Sequence, residues 1–295
     1  MANEKVLYSF GQLPDGAIPV AGVTLDPKHN LYGTASAGGS FGSGTVFQLK
    51  RSKSSWTENI LYNFQGGSDG SVPYAGVILD HAGNLYGGIT GGGTGAGGTI
   101  FEQTPSSSGW TFSVLYNLPG WSLSGPFRNL MMDASGNLYG TTHCDGAYEA
   151  GTAYKLTPSG GTWTYTSLYV FTGRSDGTFS YSNLVLDKQG HLYGTTDIGG
   201  TDGAGVVFKI TPITDTGDVK RANPLSEVSR LTHLRLAAHQ FNSAMIYAWC
   251  ESKACKELRA DLRGFSGLST CDCGTCCPQI RDPLTWLQYY AIILV

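Results

Sequence analysis

Charged residues are scarce in this chain. Asp, Glu, Lys and Arg make up 14% of the 295 residues, and the net charge is −3. Proteins that bind nucleic acid carry a basic stripe or patch that neutralises phosphates. No such stripe can be assembled from this sequence, so we expect no nucleic-acid partner.

Long apolar segments are missing as well. No run of about 18 apolar residues occurs, the length that a membrane-spanning helix needs, so no transmembrane segment is predicted. The opening MANEKVLYSF also lacks the apolar core of a secretory signal peptide. In contrast, low charge with abundant Gly, Ser, Thr and Tyr is typical of extracellular β-proteins, which favours an extracellular location.

Sequence motifs of two large enzyme groups are absent. The chain has neither a His-Glu-x-x-His zinc helix nor a Gly-x4-Gly-Lys-Ser/Thr phosphate loop. These absences weigh against zinc metalloproteases and nucleotide-dependent enzymes. We predict no cofactor.

One four-residue phrase is present four times. Its copies start 54, 53 and 54 residues apart (84 − 30, 137 − 84, 191 − 137). The copies are Asn30-Leu31-Tyr32-Gly33, Asn84-Leu85-Tyr86-Gly87, Asn137-Leu138-Tyr139-Gly140 and His191-Leu192-Tyr193-Gly194. Such a fixed period indicates one structural unit repeated along the chain.

Each unit contains four short strand patterns. An apolar strand ends in an acid, a tight turn leads to the Leu-Tyr-Gly strand, a glycine-rich loop leads to a third strand, and a fourth strand begins at a tryptophan in three units. The acids are Asp26, Asp80, Asp133 and Asp187. Four antiparallel strands in each period are typical of a β-propeller blade, and a parallel β-helix is the main competitor.

The chain ends suggest how the repeats close. Residues 6–10 match the fourth strand of a unit, whereas the repeats stop after a third strand at residues 207–210. Pairing of residues 6–10 with 205–210 would complete the last blade and leave no open sheet edge. The expected fold is therefore an all-β, closed propeller of four four-stranded blades, with part of a larger ring as the alternative.

The repeat pattern also resembles a known family. Its elements are P-x-A-G-V-x-L-D, x-G-N-L-Y-G-T-T and G-x-G-T-V-F-x-L-T-P, and they recur over residues 6–212. This pattern resembles the choice-of-anchor tandem-repeat family of GloVer-containing proteins. The resemblance implies propeller or solenoid modules of exported proteins held at the cell surface, and it brings no catalytic residues.

Residues present in every unit are interpreted as architecture. The repeated tyrosines are expected to pack between blades with each hydroxyl bonded to the backbone. The Asp-Gly pairs at Asp15, Asp69 and Asp176 are interpreted as turn residues.

The third unit departs from the pattern in two loops, which we expect at the same end of the blade. The departing residues combine aromatic rings, a cation, an imidazole and two carboxylates: Trp121, Phe127, Arg128, His143, Asp145 and Glu149. Such a mixture can stack on a sugar ring, hydrogen-bond its hydroxyls or bind a cation. Neutral variation in a tolerant loop is the alternative.

Residues 212–295 differ in composition from residues 1–211, and we place a domain boundary between them. The later segment has four of the 42 glycines and six of the seven cysteines. Apolar residues at helical spacing predict a small, mainly α segment of unknown role. Four cysteines, Cys250, Cys255, Cys273 and Cys276, are weak candidates for a metal site, and disulfides or unbonded thiols are favoured over it.

The sequence therefore predicts a non-enzymatic propeller that binds or displays, with a carbohydrate or protein partner at a cell surface. One alternative is an extracellular polysaccharide hydrolase or lyase in which Asp145 and Glu149 act as acid and base. Another is a structural unit that self-assembles through residues 212–295.

Overall fold

A computed structural model describes residues 3–11, 13–53, 55–121 and 123–211. These residues form seventeen strands and no helix. The predicted all-β class is therefore confirmed for this part of the chain. The helices and the four candidate metal ligands predicted beyond residue 211 lie outside the described residues, as does the whole of the predicted second domain, residues 212–295.

The strands follow the repeats closely. They are β1 (Gly16–Ala17), β2 (Thr24–Leu25), β3 (Leu31–Ala35), β4 (Ala37–Gly38), β5 (Thr45–Ser52), β6 (Ser55–Asn63), β7 (Val77–Leu79), β8 (Leu85–Ile89), β9 (Ala96–Ser106), β10 (Gly109–Pro119), β11 (Met131–Met132), β12 (Leu138–Thr141), β13 (Thr152–Ser159), β14 (Thr162–Val170), β15 (Val185–Leu186), β16 (Leu192–Thr196) and β17 (Val206–Ile210).

Each repeat forms one antiparallel meander. Sheet 1 has the order β2-β3-β5-β6, sheet 2 the order β7-β8-β9-β10 and sheet 3 the order β11-β12-β13-β14. Sheet 4 contains β15-β16-β17, and β1 pairs with β4 in a small separate ladder. The prediction of four strands in each repeat is thus confirmed for three repeats, and the fourth repeat has three strands among the described residues.

The Asp-to-Tyr part of each repeat is a hydrogen-bonded turn. In sheet 3, Asp133 Oδ1 accepts the backbone N–H of Asn137 at 2.9 Å, while its Oδ2 accepts the Asn137 side-chain amide at 2.7 Å and the Tyr139 hydroxyl at 3.0 Å. The same three bonds recur in the other repeats, with His191 replacing the asparagine in the last. The predicted hydroxyl-to-backbone bonds are wrong, because the aspartate carboxylate is the acceptor instead.

The glycine of the repeated phrase makes room for an aromatic ring of the third strand. A Cβ on Gly87 would lie 2.4 Å from the Phe101 ring, and one on Gly33 would lie 2.7 Å from the Phe47 ring. Phe101 is fully buried against the interface with sheet 1. The phrase therefore repeats because its Asn, Tyr and Gly each perform a packing or hydrogen-bonding task.

Gly87→Ala is expected to lower the free energy of unfolding by about 2 kcal/mol, because the added methyl overlaps a ring that cannot move in a filled core. Urea unfolding followed by tryptophan fluorescence measures this loss. Shortening the ring in the double variant Gly87→Ala/Phe101→Leu should make the alanine less costly than it is beside Phe101. Independent, additive effects of the two changes would contradict the ring-on-glycine account.

Successive sheets pack face to face through apolar clusters. Tyr32, Val46 and Phe64 of the first repeat pack against Val77 and Leu85 of the second. Equivalent clusters join sheet 2 to sheet 3 and sheet 3 to sheet 4. Hydrogen bonds also join successive repeats near their first strands, for example from Gly76 N–H to Asn129 Oδ1 at 2.8 Å.

The N-terminal segment does not close a ring, and that prediction is wrong for the described residues. Residues 6–10 form no strand, and β17 pairs only with β16. Instead, Phe10 packs edge-on against Phe47 at 5.1 Å, and the Tyr8 hydroxyl donates to Asp15 Oδ2 at 3.0 Å. These contacts reproduce those of the fourth-strand ends, where the Tyr62 hydroxyl donates to Asp69 at 3.1 Å.

The pattern of residues 6–10 therefore encodes packing onto the following sheet, and it does not by itself specify a pairing partner. Tyr62 and Phe64 pack on sheet 2 in the same way that Tyr8 and Phe10 pack on sheet 1. The equivalent bond from Tyr169 to Asp176 measures 2.9 Å. The Asp-Gly pairs thus anchor the preceding strand end, which agrees with their interpretation as turn residues.

Tyr154 stands where sheets 1, 2 and 4 have phenylalanine, at positions 47, 101 and 208. It is fully buried, and its hydroxyl has no hydrogen-bond partner among the described residues. An unpaired buried hydroxyl costs about 1–3 kcal/mol. Tyr154→Phe is therefore expected to raise the unfolding free energy by about 1 kcal/mol, as measured by chemical denaturation. Tyr86→Phe is the control and should lower the unfolding free energy, because it removes a hydroxyl that is bonded to Glu102 at 2.7 Å. Destabilisation by Tyr154→Phe would show that the hydroxyl is paired.

Candidate binding site at the third repeat

Two sets of loops lie together at one end of the sheets, as expected for a meander. One set joins the fourth strand of a repeat to the first strand of the next, and the other joins second to third strands. Ser71 of the first set forms a bridge with Gly91 of the second, and Thr178 does so with Ile198. The departing loops of the third repeat belong to these two sets and also meet, because His143 N–H donates to Ser124 O at 2.9 Å.

The changes in these two loops of the third repeat compensate for each other sterically. In the other repeats a glycine occupies the position of Asp145, and there the inter-sheet loop approaches it closely: a Cβ on Gly92 would lie 2.9 Å from the Gly70 Cα. The third repeat is one residue shorter between Asn117 and Pro126 than the second is between Asn63 and Pro73 (9 against 10). The shorter loop lacks the Asp-Gly pair, so the Asp145 side chain has room at this position.

An aromatic cluster surrounds His143. Its ring stacks on Phe179 at 4.5 Å, and it lies 4.8 Å from Phe127 and 4.6 Å from Tyr181 between ring centroids. Tyr74 extends the cluster by stacking on Phe127 at 5.1 Å. We call these five residues the aromatic cluster. It combines loops from three successive repeats, and Tyr181 is its exposed member.

His143 is uncharged at neutral pH. Its side chain is buried among the rings, and this burial lowers the pKa of the imidazole to about 4. Its Nε2 lies 3.2 Å from the Tyr181 hydroxyl, whereas its Nδ1 has no hydrogen-bond partner among the described residues. The cluster is thus apolar and neutral, with one buried ring nitrogen left available.

Arg128 places a positive charge at the edge of the cluster. Its Nε donates to the Tyr181 backbone oxygen at 2.6 Å, and its Cζ lies 6.0 Å from the centre of the Tyr181 ring. The side chain is exposed. A guanidinium fixed through Nε can present its two terminal nitrogens to a hydroxyl, carboxylate or sulfate group.

The structure brings together three of the six predicted site residues: Phe127, Arg128 and His143. Trp121 makes no ring contact among the described residues, and its indole N–H is buried without a partner. Asp145 is buried and accepts a hydrogen bond from the Thr142 hydroxyl. Glu149 is half-buried and has a positive φ of 56°.

The environment of Asp145 bears on the acid–base hypothesis. Burial raises the pKa of its carboxyl, and hydrogen bonds from Thr142 and Thr152 oppose this shift. Its side chain is 4% exposed, so its oxygens face the Thr142 hydroxyl rather than the surface. The use of Asp145 and Glu149 as a catalytic pair stays a hypothesis without support from this geometry.

Three members of the cluster, Tyr74, Phe179 and Tyr181, are not among the predicted site residues. Tyr74, Phe127 and Tyr181 occupy one repeat position, 53 and 54 residues apart, where the first repeat has Val20. That recurrence is visible in the sequence, but recurrence alone favours architecture. Only the structure shows that this position lies beside His143.

Other chemistry is limited in the described part of the chain. No group of three or more His, Cys, Asp and Glu side chains that could hold a metal ion occurs there. Gly-x-Ser-x-Gly spacing does occur, at residues 38–42, 66–70 and 173–177, but a nucleophile elbow is a strand-to-helix turn and these segments lead into no helix. A helix able to span a membrane is likewise not found among residues 3–211.

Comparison with known proteins identifies the repeats. A family model described as the Gloeobacter/Verrucomicrobia repeat matches residues 2–112 and again residues 57–229. This match confirms the resemblance inferred from the repeat pattern. A search of curated proteins finds no match.

Similar solved structures include a sialidase from Trypanosoma rangeli, at 13% identity and a TM-score of 0.40, covering 72% of this chain and 38% of that one. A Bacteroides uniformis protein provisionally named 6-phosphogluconolactonase has 13% identity and a TM-score of 0.40, with 66% and 57% covered. A protein of unknown function from Dyadobacter fermentans has 12% identity and a TM-score of 0.38, with 61% of each chain covered. The chain thus spans 38–61% of their lengths, and such low TM-scores carry no argument about function.

Proposed function

The chain belongs to the Gloeobacter/Verrucomicrobia repeat family, and on this premise we propose that it is a propeller-like module that binds carbohydrate without transforming it. The propeller assignment is supported by three successive four-stranded antiparallel meanders that pack face to face. Display at a cell surface belongs to the same proposal and is supported by the sequence pattern of the repeats.

The aromatic cluster is the observation that carries the binding proposal. Tyr181 exposes part of its ring beside the Arg128 guanidinium, and the ring is held from behind by His143. Sugar rings present C–H faces that pack on aromatic rings, and their hydroxyls accept hydrogen bonds from cationic side chains. A rigid ring with an adjacent fixed guanidinium suits this chemistry.

The Arg128 charge narrows the class of glycan that we expect to bind. No carboxylate is an ion-pair partner of Arg128 among the described residues, where the one ion pair joins His191 and Asp187. The neutral His143 adds no second charge. Acidic glycans, which carry carboxylate or sulfate groups, are therefore expected to bind more tightly than neutral ones.

A glycan array tests this function with the purified full chain. We expect the wild-type protein to bind a set of glycans, and Tyr181→Ala or Arg128→Ala to weaken that binding at least about tenfold, which corresponds to about 1.4 kcal/mol. Tyr148→Ala is the matched control, because Tyr148 is an exposed tyrosine of the neighbouring loop between β12 and β13 and lies outside the aromatic cluster.

Three outcomes would contradict the proposal. They are an array without ligands, equal weakening by the Tyr148 control, and turnover of a bound glycan. Turnover abolished by Asp145→Asn or Glu149→Gln would support a hydrolase or lyase instead.

A further inference from the structure

The outer face of sheet 4 exposes side chains that are buried wherever two sheets meet. Val207 is 81% exposed, whereas its counterparts in the first three repeats, Val46, Ile100 and Ala153, are 0% exposed. Val185 on the same sheet is also exposed. This face has the composition of an inter-sheet interface but no sheet against it among the described residues.

The outer face of sheet 1 exposes the residues that form the other side of an inter-sheet interface. Val23 is 52% exposed and Leu25 is exposed as well. The counterparts of Val23 in the later repeats are all buried: Val77, Leu130 and Leu184. In each internal interface, the residue at the Val77 position of one repeat lies in the same apolar cluster as the residue at the Val46 position of the preceding repeat. The two end faces therefore match each other head to tail.

Unpaired backbone edges accompany the two faces. The outer edge of β17 has no strand partner among the described residues. Residues 6–10 pack on sheet 1 where the end of a preceding repeat's fourth strand would lie, and no third strand pairs with them among the described residues. In sheets 1, 2 and 3 the Val207-type residue is paired with a tyrosine, as in Val46 with Tyr62. By the same register, Val207 would pair with Tyr8.

We propose that copies of this chain associate head to tail, with sheet 4 of one copy packed on sheet 1 of the next. Residues 6–10 of the second copy then add as the fourth strand along β17 of the first. The association continues the face-to-face packing of the internal interfaces, covers the exposed Val207, Val185, Val23 and Leu25, and pairs a free strand edge. Because the two surfaces differ, the interface is heterologous and can propagate or close into a ring.

A second copy is the occupant favoured by the sequence of the two faces. Each face is a variant of surfaces that already bind each other three times within the chain, so complementarity in shape and register is built in. The most exposed side chains of the two faces, Val207, Val185, Val23 and Leu25, are all aliphatic, as are most of their buried counterparts in the internal interfaces.

Sedimentation velocity on the full chain tests the proposal. We expect the wild type to associate increasingly with concentration, and Val207→Asp or Leu25→Asp alone to remain monomeric. An equimolar mixture of the two variants should form a dimer and nothing larger, since only one intact head and one intact tail are then available. Phe41→Asp, which changes an exposed ring away from both end faces, should associate like the wild type.

Cysteine cross-linking provides the second measurement, since Val206 and Ser9 are opposite each other in the proposed register. Chains with Val206→Cys mixed with chains with Ser9→Cys should form a disulfide-linked dimer. The proposal is overturned if the wild type is monomeric at all accessible concentrations, if either Asp variant alone still associates, or if the doubly substituted chain forms its disulfide only within one molecule. The last result would indicate closure of a single chain.

Discussion

Asp133→Ala is expected to lower the free energy of unfolding by about 4 kcal/mol. The carboxylate accepts four hydrogen bonds, from the backbone N–H groups of Ser135 and Asn137, the Asn137 amide and the Tyr139 hydroxyl. Each such bond contributes about 1 kcal/mol, and the donors of the buried residues Asn137 and Tyr139 lose their acceptor without gaining another. Although burial opposes the shift, these bonds hold the pKa of the Asp133 carboxyl below its usual value.

Chemical denaturation at neutral pH measures this loss. Asp202→Ala is the control, because Asp202 is exposed in a loop of the fourth repeat and its carboxylate accepts no hydrogen bond from any described residue. A cost for Asp133→Ala no larger than that of the control would mean that the repeated turn does not stabilise the sheets.

Acidification is expected to remove about 3 kcal/mol of stability through His143. The pKa of the buried imidazole is about 4, whereas an unfolded histidine has a pKa of about 6.5. Between these values the unfolded chain binds a proton that the folded chain excludes, so the unfolding free energy falls as the pH drops from about 6.5 to about 4. Above pH 6.5 this contribution is fully present and constant.

His143→Phe isolates the effect from the carboxylates that also titrate in this range. The variant should lose less stability than the wild type when urea unfolding is compared at pH 7 and pH 4.5, because phenylalanine keeps the ring contacts with Phe127 and Phe179 but binds no proton. Parallel pH profiles for the two proteins would show that His143 is not buried in an apolar environment.

Much of the fold follows from sequence because the repeat multiplies weak signals. A single Asp-to-Tyr turn predicts little, but four copies at 53 or 54 residues identify the strands and their order. The prediction that residues 6–10 close a ring is wrong for a physical reason. Tyr8 and Phe10 carry the pattern of a fourth-strand end, yet that pattern encodes contacts with Phe47 and Asp15 of the next sheet rather than pairing with β17.

The candidate site was predictable only in part. Departure from the repeat drew attention to Phe127, Arg128 and His143, which the structure places close together, and their role in binding stays a prediction. Tyr181 was missed because it sits on a position that is aromatic in three repeats and so resembles architecture. Asp145 was included because it is a carboxylate, but burial depends on neighbours, and sequence did not reveal that a shortened loop makes room for its side chain.

The central claim is that features common to all repeats build the sheets, while recognition depends on the departing loops of the third repeat. A chimaera separates the two: residues 120–125 and 143–150 are replaced by residues 66–72 and 90–97 of the second repeat. Both segments must be exchanged together, because Asp145 occupies the place that the Asp69-Gly70 loop approaches in the second repeat.

Affinity of this chimaera for the glycans that the wild type binds is the most direct measurement. The account predicts a loss of at least about tenfold, corresponding to about 1.4 kcal/mol, with an unfolding free energy close to that of the wild type. Wild-type affinity in a folded chimaera would contradict it, because recognition would then not depend on the exchanged loops.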